Sequence, residues 1–262
     1  MQVRLTAVLG ATMLLGGSAL AAADTITITS DQRHIPTLSH VSDSSGDSFK
    51  FDDGDVPSDH MQVTLLSSTG TSVGNATTRL DSSFANPAHM SGTGSASVTW
   101  SAAFADMGSE ADYDVFFFLP ASYAFDFSGQ FQANAAAEGG DQFGFTRGQW
   151  SAALTGGGHS LFQDSDQQTN GNASSSRSHT GVLDPGTYQL VVDSAAYGTF
   201  SPPTLTTGAA GGSFAFTFDL RPVDNPVGAP TPEPASLLLL GTGAFGVLRR
   251  SWRCGSLRAG AL

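Results

Sequence analysis

One cysteine, Cys254, stands in a chain of 262 residues, and it lies in the terminal tail. The body therefore has no disulfide to staple it and no cysteine-rich zinc site. Positive charge is equally scarce. Between Asp24 and Glu233 lie only six basic residues, Arg33, Lys50, Arg79, Arg147, Arg177 and Arg221, against all 23 acidic residues of the chain, so this span carries −17. A body this acidic repels nucleic acid, and that partner class is excluded. It suits a soluble surface, cation binding or contact with neutral polymers. Charged residues of both signs make up only 13% of the chain, about half the usual quarter.

Helical periodicity is missing from the body as well. Short alternating or aromatic runs recur in its place: TITITS at 25–30, MQVTLLSS at 61–68, SASVTWSAAFA at 95–105, GQWSAALT at 148–155. YAFDFSGQF puts Phe125, Phe127 and Phe131 on one face, GTYQLVVDSA does the same with Tyr188, Leu190 and Val192, and SFAFTFDL with Phe214, Phe216 and Phe218. Period-2 spacing is what a half-buried strand needs. VFFFLP at 115–120 is a continuous apolar run and reads as a strand buried on both faces. Turn signals separate the runs: DDGD, ANPA, EGGD, TGGGHS and LDPG. The expectation is an all-β fold, an antiparallel β-sandwich or jelly roll, in one domain over 24–221.

The two ends read as addresses. MQVRLTAVLGATMLLGGSALAAAD has Arg4 in its n-region, an apolar stretch from Leu5 to Leu20, and small residues Ala21 and Ala23 before Asp24. Residues 1–23 are thus expected to be a signal peptide. At the other end, Arg221–Pro234 holds five prolines, so 222–234 is expected to be an extended spacer. The 235–262 segment follows as an apolar helix with an arginine-rich tail. Its Gly241, Gly243 and Gly246 match G-x-G-x-x-G, but the 16 residues after Gly246 contain no acid to hold a ribose. The uncharged run Ala235–Leu248, followed by Arg249, Arg250, Arg253 and Arg258, is short for a span, and a buried core helix competes by length alone. The arginine cluster favours an inner-membrane anchor with a cytoplasmic tail.

Pro232-Glu233-Pro234, then an apolar helix, then Arg249 and Arg250, resembles the PEP-CTERM sorting signal. The resemblance covers 20–25 residues, and the chain runs on past Arg250 as SWRCGSLRAGAL where family members usually stop. It implies an exported protein, anchored through its C-terminus until an exosortase-type enzyme processes it near the motif, then placed at the cell surface or in the matrix. It also implies a link to exopolysaccharide and biofilm. LDPGTYQL resembles a segment common in PEP-CTERM ectodomains and bears on fold alone.

No catalytic residue emerges from the body, and the expectation is a protein that is not an enzyme. No G-x-S-x-G elbow occurs, and GGGHS at 156–160 reads as a flexible loop. Glu110 and Glu138 are the only glutamates there, while aspartates are too many to single out a pair. His34, His40, His60, His89, His159 and His179 fall in no ligand spacing and read as surface or loop residues. No cofactor is expected apart from calcium, for which Asp52, Asp53, Asp55 and Asp59 crowd a loop-like acidic stretch. The alternative for that stretch is a solvated acidic loop. For glycan contact, Trp100 and Trp150 are the leading platforms, with Tyr123 and Tyr197, against core packing as the competing fate. Three functions stand open: a structural or adhesive matrix protein, a carbohydrate-binding module, and a secreted hydrolase.

Overall fold

Among the described residues, the alternation in the sequence becomes thirteen strands in two antiparallel sheets. The computed structural model describes residues 25–54, 58–138, 144–201 and 206–223, and the signal-peptide, spacer and apolar-helix readings fall outside them. The strands are β1 (Thr27–Asp31), β2 (Thr37–Asp43), β3 (Gly46–Asp52), β4 (His60–Thr69), β5 (Ser72–Asn86), β6 (His89–Ala102) and β7 (Phe104–Leu119). They continue as β8 (Tyr123–Glu138), β9 (Gly144–Gly156), β10 (His159–Gln168), β11 (Gly171–Leu183), β12 (Gly186–Phe200) and β13 (Thr206–Pro222). Sheet A runs β10-β9-β12-β7-β2-β3, with β1 also pairing β7. Sheet B runs β11-β8-β13-β6-β5-β4. The two form a β-sandwich, and no helix occurs among the described residues. One compact unit ends at Pro222.

Phe125, Phe127 and Phe131 of β8 face Phe216 and Phe218 of β13 and Tyr113 and Phe117 of β7 in one aromatic core. Trp150 of β9 stacks on Phe131 with centroids 4.2 Å apart. Each fully buried ring of this kind stabilises the fold by about 1.5–3 kcal/mol. A second cluster is built mostly of small side chains: Ala76, Ala96, Ala102, Ala105, Ala135, Ala196 and Ala210. Beside it the sheets nearly touch backbone to backbone. A Cβ on Gly148 of β9 would lie 2.1 Å from the Gly211 carbonyl oxygen of β13. The core thus tapers from an aromatic end to a glycine–alanine end.

Several local expectations change. VFFFLP is buried on one face only, because β7 alternates: Val115 and Phe117 are inaccessible while Phe118 is 41% exposed. GGGHS closes a tight hairpin. Gly157 and Gly158, both at positive φ, make the two-residue turn between β9 and β10, where a hairpin favours glycine. Of the acidic stretch read as a loop, Asp52 is the last residue of β3. The turn before β3 ties the two sheets together. The Asp43 carboxylate accepts the amides of Ser45 (2.7 Å), Thr71 (3.1 Å) and Ser72 (3.2 Å). These bonds, Ser45's foremost, hold its carboxyl below the usual range.

Candidate functional site

The two sheets present outward faces of different chemistry. On sheet A, β7 turns Asp106, Glu110, Asp112 and Asp114 outward in a column, since alternate residues share a face. Asp193 of β12 sits directly opposite Asp112 in the ladder. Each acid has a neighbour from the flanking segments. Tyr197 donates to Glu110 at 3.2 Å and Thr199 to Asp106 at 3.1 Å. Gln189 donates to both Asp114 oxygens at 2.9 and 3.0 Å. Ser151 of β9 donates to Asp193, and His34 Nδ1 lies 3.3 Å from Asp112 Oδ2. The other Asp112 oxygen is buried with no hydrogen-bond partner. Burial, and then the neighbouring charges of Asp193, Asp114 and Glu110, push the Asp112 carboxyl up to about 8. Burial likewise pushes Asp193 up to about 6, against the bond from Ser151. Two carboxyls facing each other across a ladder with little water resist ionising together, so the pair retains a proton near neutrality.

Beside this column lies a hollow of about 240 Å³ lined by Phe51, Phe145, Tyr197, Asp106 and Glu110 among others. Phe51 and Phe145 are 57% and 50% exposed. The Arg147 guanidinium carbon lies 5.1 Å from the Tyr197 ring centre.

Sheet B differs. Cross-strand partners stand on the same face, so the register groups its outward side chains into rows. One row reads Ser178, Ser128, Thr217 and Ser91 across β11, β8, β13 and β6. The next reads Ser176, Gln130, Ala215 and Thr93, and the third Ser174, Gln132, Ser213 and Ser95. The fourth is Asn172, Asn134, Gly211 and Ser97. No position in this block carries a charge. Ser128 and Thr217 hydroxyls are 2.9 Å apart, and Ser176 donates to Gln130 Oε1 at 2.7 Å. A shallow groove of about 810 Å³ crosses the first two rows and reaches Ser83 and Asp81 of β5. Charge returns at that edge, where Asp81 pairs with His60 and with Arg79 (2.6 Å).

The residues singled out from sequence are distributed as follows. Trp100 and Trp150 are 4% and 1% exposed, so neither offers a face to a glycan. This corrects the platform expectation. Trp100 is accommodated because Gly198 and Gly208 leave room: a Cβ at either would lie within 2.2 Å of its ring. Tyr123 is also buried, whereas Tyr197 lines the sheet A hollow. Of the acidic stretch, Asp52 accepts the Gly54 amide at 3.0 Å, and Asp59 lies 3.4 Å from Arg33 Nη1. Asp55 lies outside the described residues. Among the described residues, no three His, Cys, Asp or Glu side chains gather as a metal ion needs. Five of the histidines read as scattered each pair with an aspartate: His34–Asp112, His40–Asp47, His60–Asp81, His89–Asp219 and His179–Asp164. In sequence these partners lie up to 130 residues apart, so only the register reveals them. The exposed rings Phe51 and Phe145 and the Asp112–Asp193 pair were missed for the same reason.

Fold and faces together define an all-β sandwich whose outward surfaces are open sheets. The chain carries a PEP-CTERM protein-sorting motif at residues 230–253, a stretch that includes Pro232, Glu233, Pro234, Arg249 and Arg250. That motif implies export and handling by an exosortase-type processing enzyme, with membrane-anchored transit before processing. No curated protein matches the chain.

Proposed function

We propose that the protein is a structural or adhesive component of the cell surface or extracellular matrix, associated with exopolysaccharide and biofilm, and that it performs no catalysis. The sorting motif behind the β-sandwich body is the observation that carries this. Its open outward faces suit contact with extended partners. Intact mass from membrane, surface and medium fractions tests delivery. The expected species begins at Asp24 and ends near Pro232–Pro234. A chain still ending at Leu262 in the membrane fraction overturns processing, and a deletion strain with unchanged matrix cohesion overturns the structural role.

A secreted hydrolase is the second reading, favoured by the Asp112–Asp193 pair alone. A carboxyl that keeps its proton near neutrality is what a general acid requires. Turnover of a glycoside or ester panel that disappears in Asp112→Asn supports it, and silence across the panel removes it.

A further inference from the structure

We infer that the uncharged block on sheet B is a binding surface for a neutral, hydroxyl-rich polysaccharide chain. This rests on the exported-component reading, because such a polymer is matrix material. Three observations carry it. First, the block is neutral within a span of net charge −17. Solvated sheet faces are ordinarily salted with charges of both signs, and this one has none over four rows and four strands. The groove's one arginine, Arg177, lies 3.8 Å from Asp164, and Asp59 and Asp81 also line the groove, so an anionic polymer meets a repelling body. A cationic partner is drawn instead to the carboxylates of sheet A.

Second, the side chains that remain match sugar hydroxyls in kind. Each serine or threonine hydroxyl is both donor and acceptor, and each amide offers both functions. Third, the arrangement is periodic. Rows recur about 6.8 Å apart along the strands and about 4.8 Å apart across them. The groove over Ser128, Thr217 and Ser91 gives an extended chain a bed crossing several strands. A repeating polymer meets the same set of donors and acceptors at successive positions. Weak single contacts then add along the chain, as multivalent contacts do. No aromatic platform is needed, consistent with Trp100 and Trp150 lying in the core.

The test is native gel electrophoresis of the full chain in mild detergent through hydroxyethyl cellulose, an uncharged probe, and through alginate, an anionic one. The expected result is retardation by hydroxyethyl cellulose that survives added salt, with none by alginate. Ser128→Asp with Thr217→Asp should lower the apparent affinity at least tenfold, while Asp106→Asn on the opposite face leaves it unchanged. Should the double aspartate variant not fold, Ser128→Val with Thr217→Val removes the hydroxyls without adding charge. No retardation of the intact chain, equal retardation of a folded face variant, or stronger retention by alginate overturns the proposal. So does a dimer in size-exclusion chromatography that the face variants dissolve, since the face is then a contact between copies. Binding is read on purified protein. A chain that binds but is not exported sinks the matrix reading alone, and an exported chain that does not bind sinks only this one.

Discussion

The two outward faces come from one chain and one ladder geometry, yet they treat charge oppositely. Sheet A gathers Asp106, Glu110, Asp112 and Asp114 along β7 and sets Asp193 against them. Sheet B keeps a four-strand block of hydroxyls and amides with no charge at all. The acidic face holds like charges close at a cost in stability, because desolvation and mutual repulsion disfavour ionisation. The neutral face carries no such strain, and its polar groups bond to one another or to solvent. Sheet B keeps its own acids, Asp81, Asp126 and Asp219, outside the block, which leaves that patch free of charge.

A shared core should couple both faces into one cooperative unit. Trp150→Ala should cost about 3–5 kcal/mol, the range for removing a large buried aromatic. Denaturant unfolding followed by near-UV and far-UV circular dichroism should show one shared, shifted transition. Two separated transitions would refute that coupling. Gly148→Ala should cost about 1–3 kcal/mol by overpacking, since its Cβ meets backbone oxygens of the facing sheet. A melting temperature unchanged from the wild type would show that the sheets separate there freely.

A third prediction separates the faces by pH. The Asp112 carboxyl binds its proton more tightly folded than unfolded. Its contribution to stability is present below about pH 4, the unfolded value, and is lost as pH rises through about 8. Asp112→Asn removes that loss. It should stabilise the protein by about 1–2 kcal/mol at pH 9, or ~2–8 °C in Tm, with little gain at pH 4. Thermal melts at both pH values check this, and an equal change at both breaks it. The smallest effect belongs to sheet B. Ser128→Ala, on the exposed neutral face, should stay within about 0.5 kcal/mol at either pH. A cost above 1 kcal/mol would show that the hydroxyl row holds the sheet together.

Much of the fold was legible where apolar alternation survives. β8, β12 and β13 each bury one face against the facing sheet, and Phe125, Tyr188 and Phe216 announce it. The edge strands β10 and β11 were missed because they bury little: β11 shows half-buried and exposed positions in alternation up to Leu183. A strand of serine, asparagine and threonine has no hydrophobic period to read. The candidate surface was illegible for a different reason. Serine and threonine abundance is plain in the composition, but the row Ser178–Ser128–Thr217–Ser91 exists only through register. Trp100 likewise looked like a platform because the glycines that make room for it lie about 100 residues further along.

The placement of the last strand has a mechanical consequence. β13 is 17 residues long and lies inside sheet B, paired with β8 on one side and β6 on the other. Tension entering the body at Pro222 cannot peel it away as it would an edge strand. Along the strand it loads the β8 ladder from Pro222 and, from Asp219 inward, the β6 ladder as well, both in shear. From Asp219 inward the strand is held on both sides, so the exit of the chain is backed by a doubly anchored length rather than by a free edge.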